Sequence, residues 1–422
     1  MSHAGRMDDQ RCAIEQVPHC EKEVRDLVWS FITRAEELKA AANLQQTPLY
    51  LFDPAALRAK SRDFTEAFGE RLPNFKAFFA MKCNNHPEVT QEVVRAGLGL
   101  DVSSGLELET ALTAGCRKIL FSGPGKTDDE LHLAVKNRDA VTLLLDSPGE
   151  LSRLEKIASL TAEPVQTGVR ITTQEEGLWR KFGVRLTELE TFMRKAAQSP
   201  FVKLRGVQFH TSWNLAPDAQ AEFIARLGLV LRNLDNRLTQ GLEFIDIGGG
   251  YWPEEGEWLL EKDSLSPGRL PGRRIVPAAP ITDFAREITY SLREHIFPIR
   301  PLTVYAEPGR WIANGAMHIA LRVVDRKSED LVIVDSGTNV VGWERYETDY
   351  VPVINLSRPS TTERPCLIAG ALCTPHDVWG WSYFGDGIEP GDLLLLPNQG
   401  AYTWSLRQQF IKPVAKVVRV GV

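Results

Sequence analysis

The chain has 422 residues, of which 43% are hydrophobic and 25% charged, and its formal net charge is -6 at pH 7. This length favours two domains, and the acidic balance argues against nucleic acid as a partner. The six cysteines include no CxxC pair, which favours reduced thiols in a cytoplasmic protein over disulfides or a structural metal site. Since no apolar run approaches membrane-spanning length, we expect no membrane partner either.

The N-terminal region contains one predicted helix and one predicted strand before the main pattern begins. Apolar residues at helical spacing from Glu21 to about Asn43 predict an amphipathic helix. Thr47–Phe52 predicts a short strand, after which Asp53 and Pro54 are typical of a helix cap and first turn. We therefore assign residues 1–45 to an N-terminal leader and helix.

Residues 54–312 alternate between strand-like and helical patterns. The strand-like runs are Phe75–Lys82, Leu98–Ser103, Lys118–Gly123, Val141–Asp146, Val165–Ile171, Leu204–His210, Leu242–Gly248 and Leu302–Glu307. Eight β/α repeats with nearly continuous apolar strands predict a (β/α)8 TIM-like barrel. A doubly wound open sheet is the competing architecture, and the count of eight favours the barrel.

After Trp311 the pattern changes to strand-like runs separated by turns, without a convincing helix. It predicts an all-β domain of residues 313–422, which the strand at residues 46–53 could join. The predicted fold class is therefore α/β, a barrel followed by an all-β C-terminal domain.

Polar residues and glycines gather where the predicted barrel strands end, which is where β/α barrels place reactive groups. The residues at these ends include Lys82, Asp101, Arg170, His210, Gly248–Gly250 and Glu307. A lysine at the end of a buried strand either reaches solvent or holds a phosphate, a carboxylate or a carbonyl group. The convergence of these residues on one rim favours a ligand.

Two glycine-containing motifs each allow more than one interpretation. Gly248–Gly250 is either a flexible turn or a nest of backbone N–H groups that binds an anion. Gly123–Thr127 resembles the end of a P-loop, but Leu120 takes the place of that motif's first glycine, so we exclude an NTPase and assign Thr127 as a helix cap. A lysine, a phosphate nest, a carboxylate and a histidine ring are together the groups needed to hold pyridoxal phosphate.

A series of segments resembles one known family, the fold-type III pyridoxal-phosphate-dependent decarboxylases, which include the diaminopimelate, ornithine and arginine decarboxylases. In chain order these segments are FFAMKCNNHPEV, DVSSGLELETALTAG, FSGPGKT, KFG, DIGGG, EPGR, ALCTPHD and GDLLLLPNQGAYT. The resemblance runs from about Thr47 to Val420. It implies an alanine-racemase-like barrel, pyridoxal 5'-phosphate as cofactor, an amino-acid substrate, and a head-to-tail homodimer with shared active sites.

The resemblance also implies roles for individual residues. Lys82 would form a Schiff base with the cofactor, and Cys373 of the partner subunit would return a proton to the substrate Cα. The implied cofactor contacts are Lys82, Asp101, His210, Ser212, Gly248, Gly249, Gly250, Glu307, Gly309, Arg310 and Tyr402. Glu307 at the pyridine nitrogen favours decarboxylation, because a protonated ring is a strong electron sink, whereas an alanine racemase is expected to have arginine there.

Three positions depart from the family pattern. Trp213 replaces the phosphate-binding serine of the HxGS motif, so that either Ser212 or Thr211 substitutes for it or this contact to the phosphate is lost. Thr374 follows the cysteine where diaminopimelate and ornithine decarboxylases carry an acidic residue for the distal ammonium of the substrate. Trp343–Glu347 replaces the RPALY segment, with Arg345 close by. We assign Arg345, Thr374 and Asp377 to substrate binding.

These departures concern the substrate, because a threonine offers no charge to a distal ammonium. The CTPxD and GPGKTDxEL segments resemble the branch that decarboxylates conjugated amino acids in siderophore or antibiotic assembly. A bulkier distal group would suit the tryptophans, which are alternatively core or interface residues: Trp213, Trp343, Trp379, Trp381 and Trp404. We therefore predict that the substrate is an L-amino acid or amino-acid conjugate other than lysine, ornithine or diaminopimelate. The alternatives are a decarboxylase of free diaminopimelate or ornithine, a racemase, and a non-catalytic pyridoxal-phosphate-binding protein.

Overall fold

The computed structural model describes residues 21–161, 163–266, 268–342 and 348–421. They form a closed eight-stranded barrel and a separate eight-stranded β-sheet domain. The predicted fold class is therefore confirmed. Among the described residues, no helix is long and apolar enough to cross a membrane.

The barrel is built from parallel strands that pair in chain order. With elements numbered along the chain, its strands are β2 (Phe75–Ala80), β3 (Gly99–Val102), β4 (Ile119–Phe121), β5 (Val141–Leu145), β6 (Val165–Ile171), β7 (Val202–Phe209), β8 (Phe244–Asp246) and β11 (Thr303–Ala306). Strand β11 closes the barrel by pairing in parallel with both β8 and β2. This closure excludes the open doubly wound sheet, and each strand coincides with a predicted run.

Helices pack around the barrel between its strands. They are α3 (Pro54–Gly69), α4 (Pro87–Arg95), α5 (Gly105–Thr113), α6 (Asp128–Lys136), α7 (Pro148–Thr161), α8 (Leu189–Gln198), α9 (Asp218–Asn233), α10 (Asn236–Thr239) and α11 (Ile281–His295), followed after β11 by α12 (Arg310–Ala313). Asp53 and Thr127 cap α3 and α6 as predicted, the latter in a capping box with Glu130. Lys126 is buried, and its Nζ lies 2.8 Å from Glu150 Oε1, so its positive charge is compensated within the protein.

Large side chains fill the inside of the barrel at the end opposite to the predicted site. Phe78, Leu120, Leu144 and Phe244 form this cluster, and the Phe244 ring stacks on Tyr305 at 4.5 Å. A Cβ at position 206 would lie 2.3 Å from the Phe244 ring, so only glycine fits there. The barrel is thus a packed core, and ligands can approach only its rim.

The β-domain combines strands from both ends of the chain. Its strands are β1 (Leu49–Phe52), β12 (Met317–Ser328), β13 (Leu331–Val334), β14 (Ile354–Asn355), β15 (Glu363–Ala369), β16 (Val378–Phe384), β17 (Leu393–Leu396) and β18 (Lys416–Arg419). Strand β1 lies between β12, to which it is antiparallel, and β18, to which it is parallel. The sheet order is β13-β15-β16-β14-β17-β12-β1-β18.

Two further features pack on the β-domain. The predicted N-terminal helix is two helices, α1 (Glu21–Ile32) and α2 (Ala35–Ala42), and Arg34 at the break pairs with Asp53 at 2.7 Å. A hairpin of β9 (Glu257–Leu260) and β10 (Arg273–Val276), which the sequence did not predict, is inserted between β8 and α11. Side chains of α1, the hairpin and the β-domain share one apolar cluster, so the N-terminal helices belong to the folded body.

Candidate active site

Lys82 lies just beyond β2, in a single 3-10 turn of residues Met81–Cys83, whereas the sequence predicted that the strand continued to Lys82. The lysine is half-buried between two buried neighbours. A loop of the β-domain holds this turn: the Tyr402 N–H donates to the Cys83 carbonyl at 2.8 Å, and Asn84 Nδ2 donates to the Gly400 carbonyl at 2.9 Å. The two domains therefore fix the lysine turn and the Tyr402 loop relative to each other.

Three carboxyl groups are buried close to Lys82 at the same rim. Asp101 is the last but one residue of β3, Asp246 is the last residue of β8, and Glu307 directly follows β11; each is at most 2% exposed. The positive charge of Lys82 acts to lower the pKa of both Asp101 and Glu307. Because isolated buried charges are costly, three ionised carboxylates cannot coexist here beside one lysine.

Glu307 is the carboxyl group that stays ionised. Burial acts to raise the pKa of Glu307, but the positive charge of Lys82 and a hydrogen bond from Asp246 act in the opposite direction, and the pKa lies below its ordinary value. Gln208 Nε2 donates to Glu307 Oε1 at 3.1 Å. The carboxylate is therefore charged and fixed in position before any ligand arrives.

His210 follows β7 and is neutral. Its Nδ1 accepts the Gly249 N–H at 3.1 Å, so its proton is on Nε2, which lies 3.3 Å from Ser212 Oγ. Burial lowers the pKa of His210 to about 4, although Glu307 acts in the opposite direction. Nδ1 lies 3.5 Å from Glu307 Oε2, but it has no proton to donate to that oxygen. The ring thus faces the site as a flat, uncharged surface.

Asp246 and Asp101 are the neutral members of the cluster. Burial and then the charge of Glu307 raise the pKa of Asp246 well above its ordinary value, and the same two causes raise the pKa of Asp101 to about 8. Asp246 Oδ1 accepts the Gly248 N–H at 2.9 Å, and its side chain contacts that of Glu307. Two carboxyl oxygens pair only through a proton, so Asp246 donates to Glu307 as an acid.

The glycine triplet after β8 forms a tight turn against neighbouring backbone. Gly248 and Gly250 have φ values of 67° and 83°, and a Cβ on Gly249 would lie 2.2 Å from the Glu307 carbonyl oxygen. The N–H groups of Gly248 and Gly249 donate to Asp246 and His210. Within the described residues, the Gly250 N–H is the only backbone N–H of this triplet without a partner in the protein, and it is available to bind an anion.

Arg310 supplies a positive charge beside this turn. Its guanidinium lies between two aromatic rings, 4.5 Å from the Trp252 centroid and 5.0 Å from that of Tyr402. Gly309 packs so closely on Cys83 that an added Cβ would lie 3.0 Å from the cysteine Cβ. Arg310, Tyr402 and Gly250 are thus gathered beside the lysine turn, as a phosphate site requires.

The HTSW segment is folded back on itself. Ser212 contacts His210, and Thr211 Oγ1 accepts from Asn214 Nδ2 at 2.8 Å. Trp213 has a φ of 55° and stacks on Trp252 with a centroid distance of 6.0 Å. The assignment of Ser212 to the phosphate stays a prediction.

The cysteine loop between β15 and β16 presents an exposed thiol at Cys373. Asp377 shapes this loop, because its Oδ1 accepts the Thr338 N–H and its Oδ2 the Leu372 N–H, each at 2.7 Å. With both oxygens engaged, Asp377 suits a structural role better than the predicted substrate contact. Thr374 is half-buried in the same loop. The predicted substrate residue Arg345 falls outside the described residues.

Sequence reasoning missed several residues that support the site. Gln208 and Asp246 position Glu307, and Asp146 accepts the Gly183 N–H of the KFG segment at 2.6 Å. The sequence signal for these residues was a polar residue within, or at the end of, an otherwise apolar run. In the structure Gln208, Asp246 and Asp146 are all almost fully buried. Trp252, which stacks on Arg310, carried no comparable signal.

The comparisons with known proteins agree on one family. The model described as pyridoxal-dependent decarboxylase, pyridoxal binding domain, matches residues 55–314. The chain is 28% identical over 395 residues to the L-glutamyl-[BtrI acyl-carrier protein] decarboxylase of Niallia circulans, covering 87% of this chain and 86% of that protein. It is also 28% identical over 398 residues to the diaminopimelate decarboxylase of Methanothermobacter thermautotrophicus, covering 89% and 87%.

Solved structures share the fold over almost the whole chain. Diaminopimelate decarboxylase from Helicobacter pylori, complexed with L-lysine, aligns with a TM-score of 0.74 at 24% identity, covering 91% of this chain and 94% of that one. Lysine/ornithine decarboxylase from Vibrio vulnificus, complexed with putrescine, aligns with a TM-score of 0.72 at 20% identity, covering 92% and 98%. At these identities the likeness concerns the barrel and β-domain architecture.

The residues at the rim fit pyridoxal 5'-phosphate. Asp101 is almost fully buried, and apart from a contact with Ser122 its carboxyl oxygens have no hydrogen-bond partner within the described residues, so the site can accept a further polar group there. Glu307 is a buried carboxylate suited to a protonated ring nitrogen. Lys82 and the group formed by Gly250, Arg310 and Tyr402 provide an amine and an anion site.

Replacing Asp246 tests whether this residue acts as a neutral donor to Glu307. In Asp246→Asn the amide can still donate to Glu307 and accept from Gly248, so we expect near-normal cofactor affinity. Asp246→Ala lacks both bonds and should weaken cofactor binding about tenfold to a hundredfold, as expected for a lost hydrogen bond to a charged group. Absorbance titration of the apoprotein with the cofactor measures this, and equal loss in both variants would show that Asp246 must be ionised.

Asp101 predicts a specific pH dependence of stability in the apoprotein. Its pKa of about 8 in the folded state exceeds the ordinary value of 3.8, so the folded protein keeps a proton that the unfolded chain releases between these values. Stability contributed by Asp101 therefore falls as the pH rises through this window, by up to about 1.4 kcal/mol per pH unit, and levels off above pH 8. The asparagine side chain of Asp101→Asn does not titrate, so it contributes no such pH dependence. Its melting temperature relative to wild type should rise toward pH 8 and then level off; a pH-independent difference would contradict the assignment.

Proposed function

This chain belongs to the pyridoxal-dependent decarboxylase family, and we propose that it removes the α-carboxylate of an L-amino acid conjugate as CO2. The protein is a pyridoxal-phosphate-dependent carboxy-lyase. The observation that carries the proposal is the ionised Glu307 beside Lys82, with Asp101 and Asp246 held neutral. This arrangement suits a cofactor whose ring must remain protonated to accept electrons.

Pyridoxal phosphate supplies an electron-accepting ring, which delocalises the electron pair left on Cα when CO2 departs. Lys82 would hold the cofactor covalently through Nζ. Glu307 would accept a hydrogen bond from the ring nitrogen and keep it protonated, which would favour decarboxylation over racemisation. His210 would offer a flat neutral face to the ring, and Arg310 with Tyr402 would bind the phosphate.

Cys373 of the partner subunit is proposed to return the proton to Cα in a homodimer with shared active sites. The supporting observation is that the Cys373 thiol is exposed on a loop whose backbone is fixed by Asp377. An exposed thiol on a rigid loop can enter a neighbouring site without reorganising its own domain. Thr374, next to this thiol, is proposed to contact the substrate in the same site.

An amino-acid conjugate is the proposed substrate class. The relative from Niallia circulans is named for a glutamyl group carried on a protein, and Thr374 provides no counter-charge for a distal ammonium. The alternative is a free diamino acid such as diaminopimelate, which the other relatives are named for. Arg345 remains a proposed contact to the substrate in either case.

The reaction and the substrate class can be tested together with a panel of substrates. We expect CO2 release from γ-glutamyl amides with a kcat/KM at least about tenfold above that for free diaminopimelate or ornithine, because an unpaired distal ammonium loses a charge-assisted hydrogen bond. Borohydride should attach the cofactor to the wild type but not to Lys82→Ala. Efficient turnover of a free diamino acid would refute the conjugate assignment, and inversion at Cα without CO2 would indicate a racemase.

The role of Cys373 across the interface predicts complementation. Cys373→Ala should lower turnover by about 100-fold, as expected for loss of a proton donor, while cofactor binding is unchanged. Mixing it with Lys82→Ala should restore about a quarter of wild-type activity, because half of randomly paired dimers contain one intact site. Turnover of Cys373→Ala at the wild-type rate, or no recovery in the mixture, would exclude this role.

A further inference from the structure

We propose that a cavity between the inserted hairpin and the β-domain, called here the distal cavity, binds an uncharged alkyl or acyl chain attached to the substrate through an amide or thioester. This assignment rests on the proposed function and narrows its substrate class. The cavity has a volume of about 580 Å³. Pockets of roughly 300–1,000 Å³ accommodate drug-sized ligands, which are larger than a free amino acid.

The distal cavity is enclosed by parts of the chain that are far apart in sequence. The hairpin insertion contributes Trp258 and Leu265, the β-domain contributes Val378 and Trp381, and α1 contributes Leu27. The N-terminal helices therefore help to complete a wall. None of these residues belongs to the barrel rim that holds Lys82 and Glu307.

The inner end of the cavity meets the cofactor site. Arg310, Tyr402 and Trp252 line it there, and they are the group beside the Gly250 turn that suits a phosphate. A chain that extends from a substrate held at Lys82 past Arg310 and Tyr402 would enter the cavity at this point. Position, as well as volume, makes the cavity a subsite of the same active site.

The tryptophans in the cavity walls present apolar faces. Trp258 Nε1 donates to the Glu255 carbonyl at 2.7 Å, and Trp379 Nε1 donates to the Ser336 carbonyl at 3.1 Å, so both indole N–H groups are used within the protein. Their rings are left to contact methylene groups and amide planes.

The lining also includes three charged side chains on the hairpin side. Glu255 and Lys262 are exposed and mark the side that opens to solvent, and the half-buried Asp349 accepts a hydrogen bond from Thr348 Oγ1 within the protein. An uncharged chain therefore suits the interior better than a second ammonium.

An internal ion pair keeps the walls at a fixed separation. Arg273 on β10 contacts both oxygens of Glu363 on β15 at 2.7 and 2.8 Å and donates to Tyr350 Oη at 2.8 Å. Ser382 Oγ adds a further bond to Glu363 at 2.6 Å. Both charges are about nine-tenths buried, and such a pair is stable only when its hydrogen bonds are satisfied, as they are here. A subsite fixed in this way binds its ligand with less loss of conformational freedom.

The experiment measures binding of reaction products, so that turnover is not required. The probes are N-methyl, N-butyl and N-hexyl 4-aminobutyramide, the products of γ-glutamyl alkylamides, titrated calorimetrically into the holoenzyme. We expect affinity to rise about fourfold for each added methylene that is buried. The N-(5-aminopentyl) amide has as many heavy atoms in its chain as the hexyl amide, and it should bind at least about tenfold more weakly because its ammonium loses solvation.

Variants locate the effect in the distal cavity. Leu265→Trp fills the cavity from the hairpin and should remove the gain between the methyl and hexyl amides. Val378→Phe fills it from the opposite wall and serves if the first variant is unstable. Leu160→Trp is the matched control on α7, where the side chain is exposed, and it should keep the wild-type dependence on chain length.

The outcomes separate this inference from the proposed function. Affinity that is independent of chain length, equal binding of the ammonium-terminated amide, or an unchanged gain in both filling variants overturns the distal cavity assignment. CO2 release from γ-glutamyl alkylamides is measured alongside. A chain-length gain that the filling variants remove supports the cavity even when no CO2 is released, and in that case it is the proposed function that fails.

Discussion

The distribution of charge in the active site is set by burial, because the buried rim of the barrel can stabilise few ionised groups. Asp101, Asp246 and Glu307 converge on Lys82 from three strands of the barrel, and burial allows one of the three carboxyl groups to ionise. Hydrogen bonds select which one: Gln208 and the protonated Asp246 both donate toward Glu307. The negative charge is therefore concentrated on Glu307, the residue proposed to contact the pyridine nitrogen of the cofactor.

The β-domain contributes residues to both the active site and the distal cavity. Its Tyr402 loop is bonded to the lysine turn, and its strands provide one wall of the distal cavity, while the hairpin inserted after β8 provides the other. Lys82 and Glu307, which are proposed to hold the cofactor, thus lie on the barrel, and the surfaces proposed to distinguish substrates lie outside it. This division agrees with relatives whose names share a reaction and differ in the molecule on which they act.

The barrel was predictable because strands covered on both faces read as continuous apolar runs, and the rim residues because they follow those runs. Periodicity alone could not show that β2 ends at Ala80 and that Lys82 belongs to a separate turn. The β9–β10 hairpin escaped prediction because its apolar residues are buried only by packing on α1 and the β-domain. Protonation of Asp246 depends on Glu307, which lies on another strand, so no local pattern could reveal it.

The position of β1 affects how the chain acquires its fold. Leu49 is opposite Lys416 in one parallel pair, so the β-domain sheet joins residues from nearly the two ends of the chain. Such non-local pairing makes folding slow, because a large loop must close before the contacts form. During synthesis the barrel sequence emerges complete while β1 still lacks its partner β18. The β-domain is therefore expected to consolidate after the barrel, once β18 has been synthesised and can pair with β1.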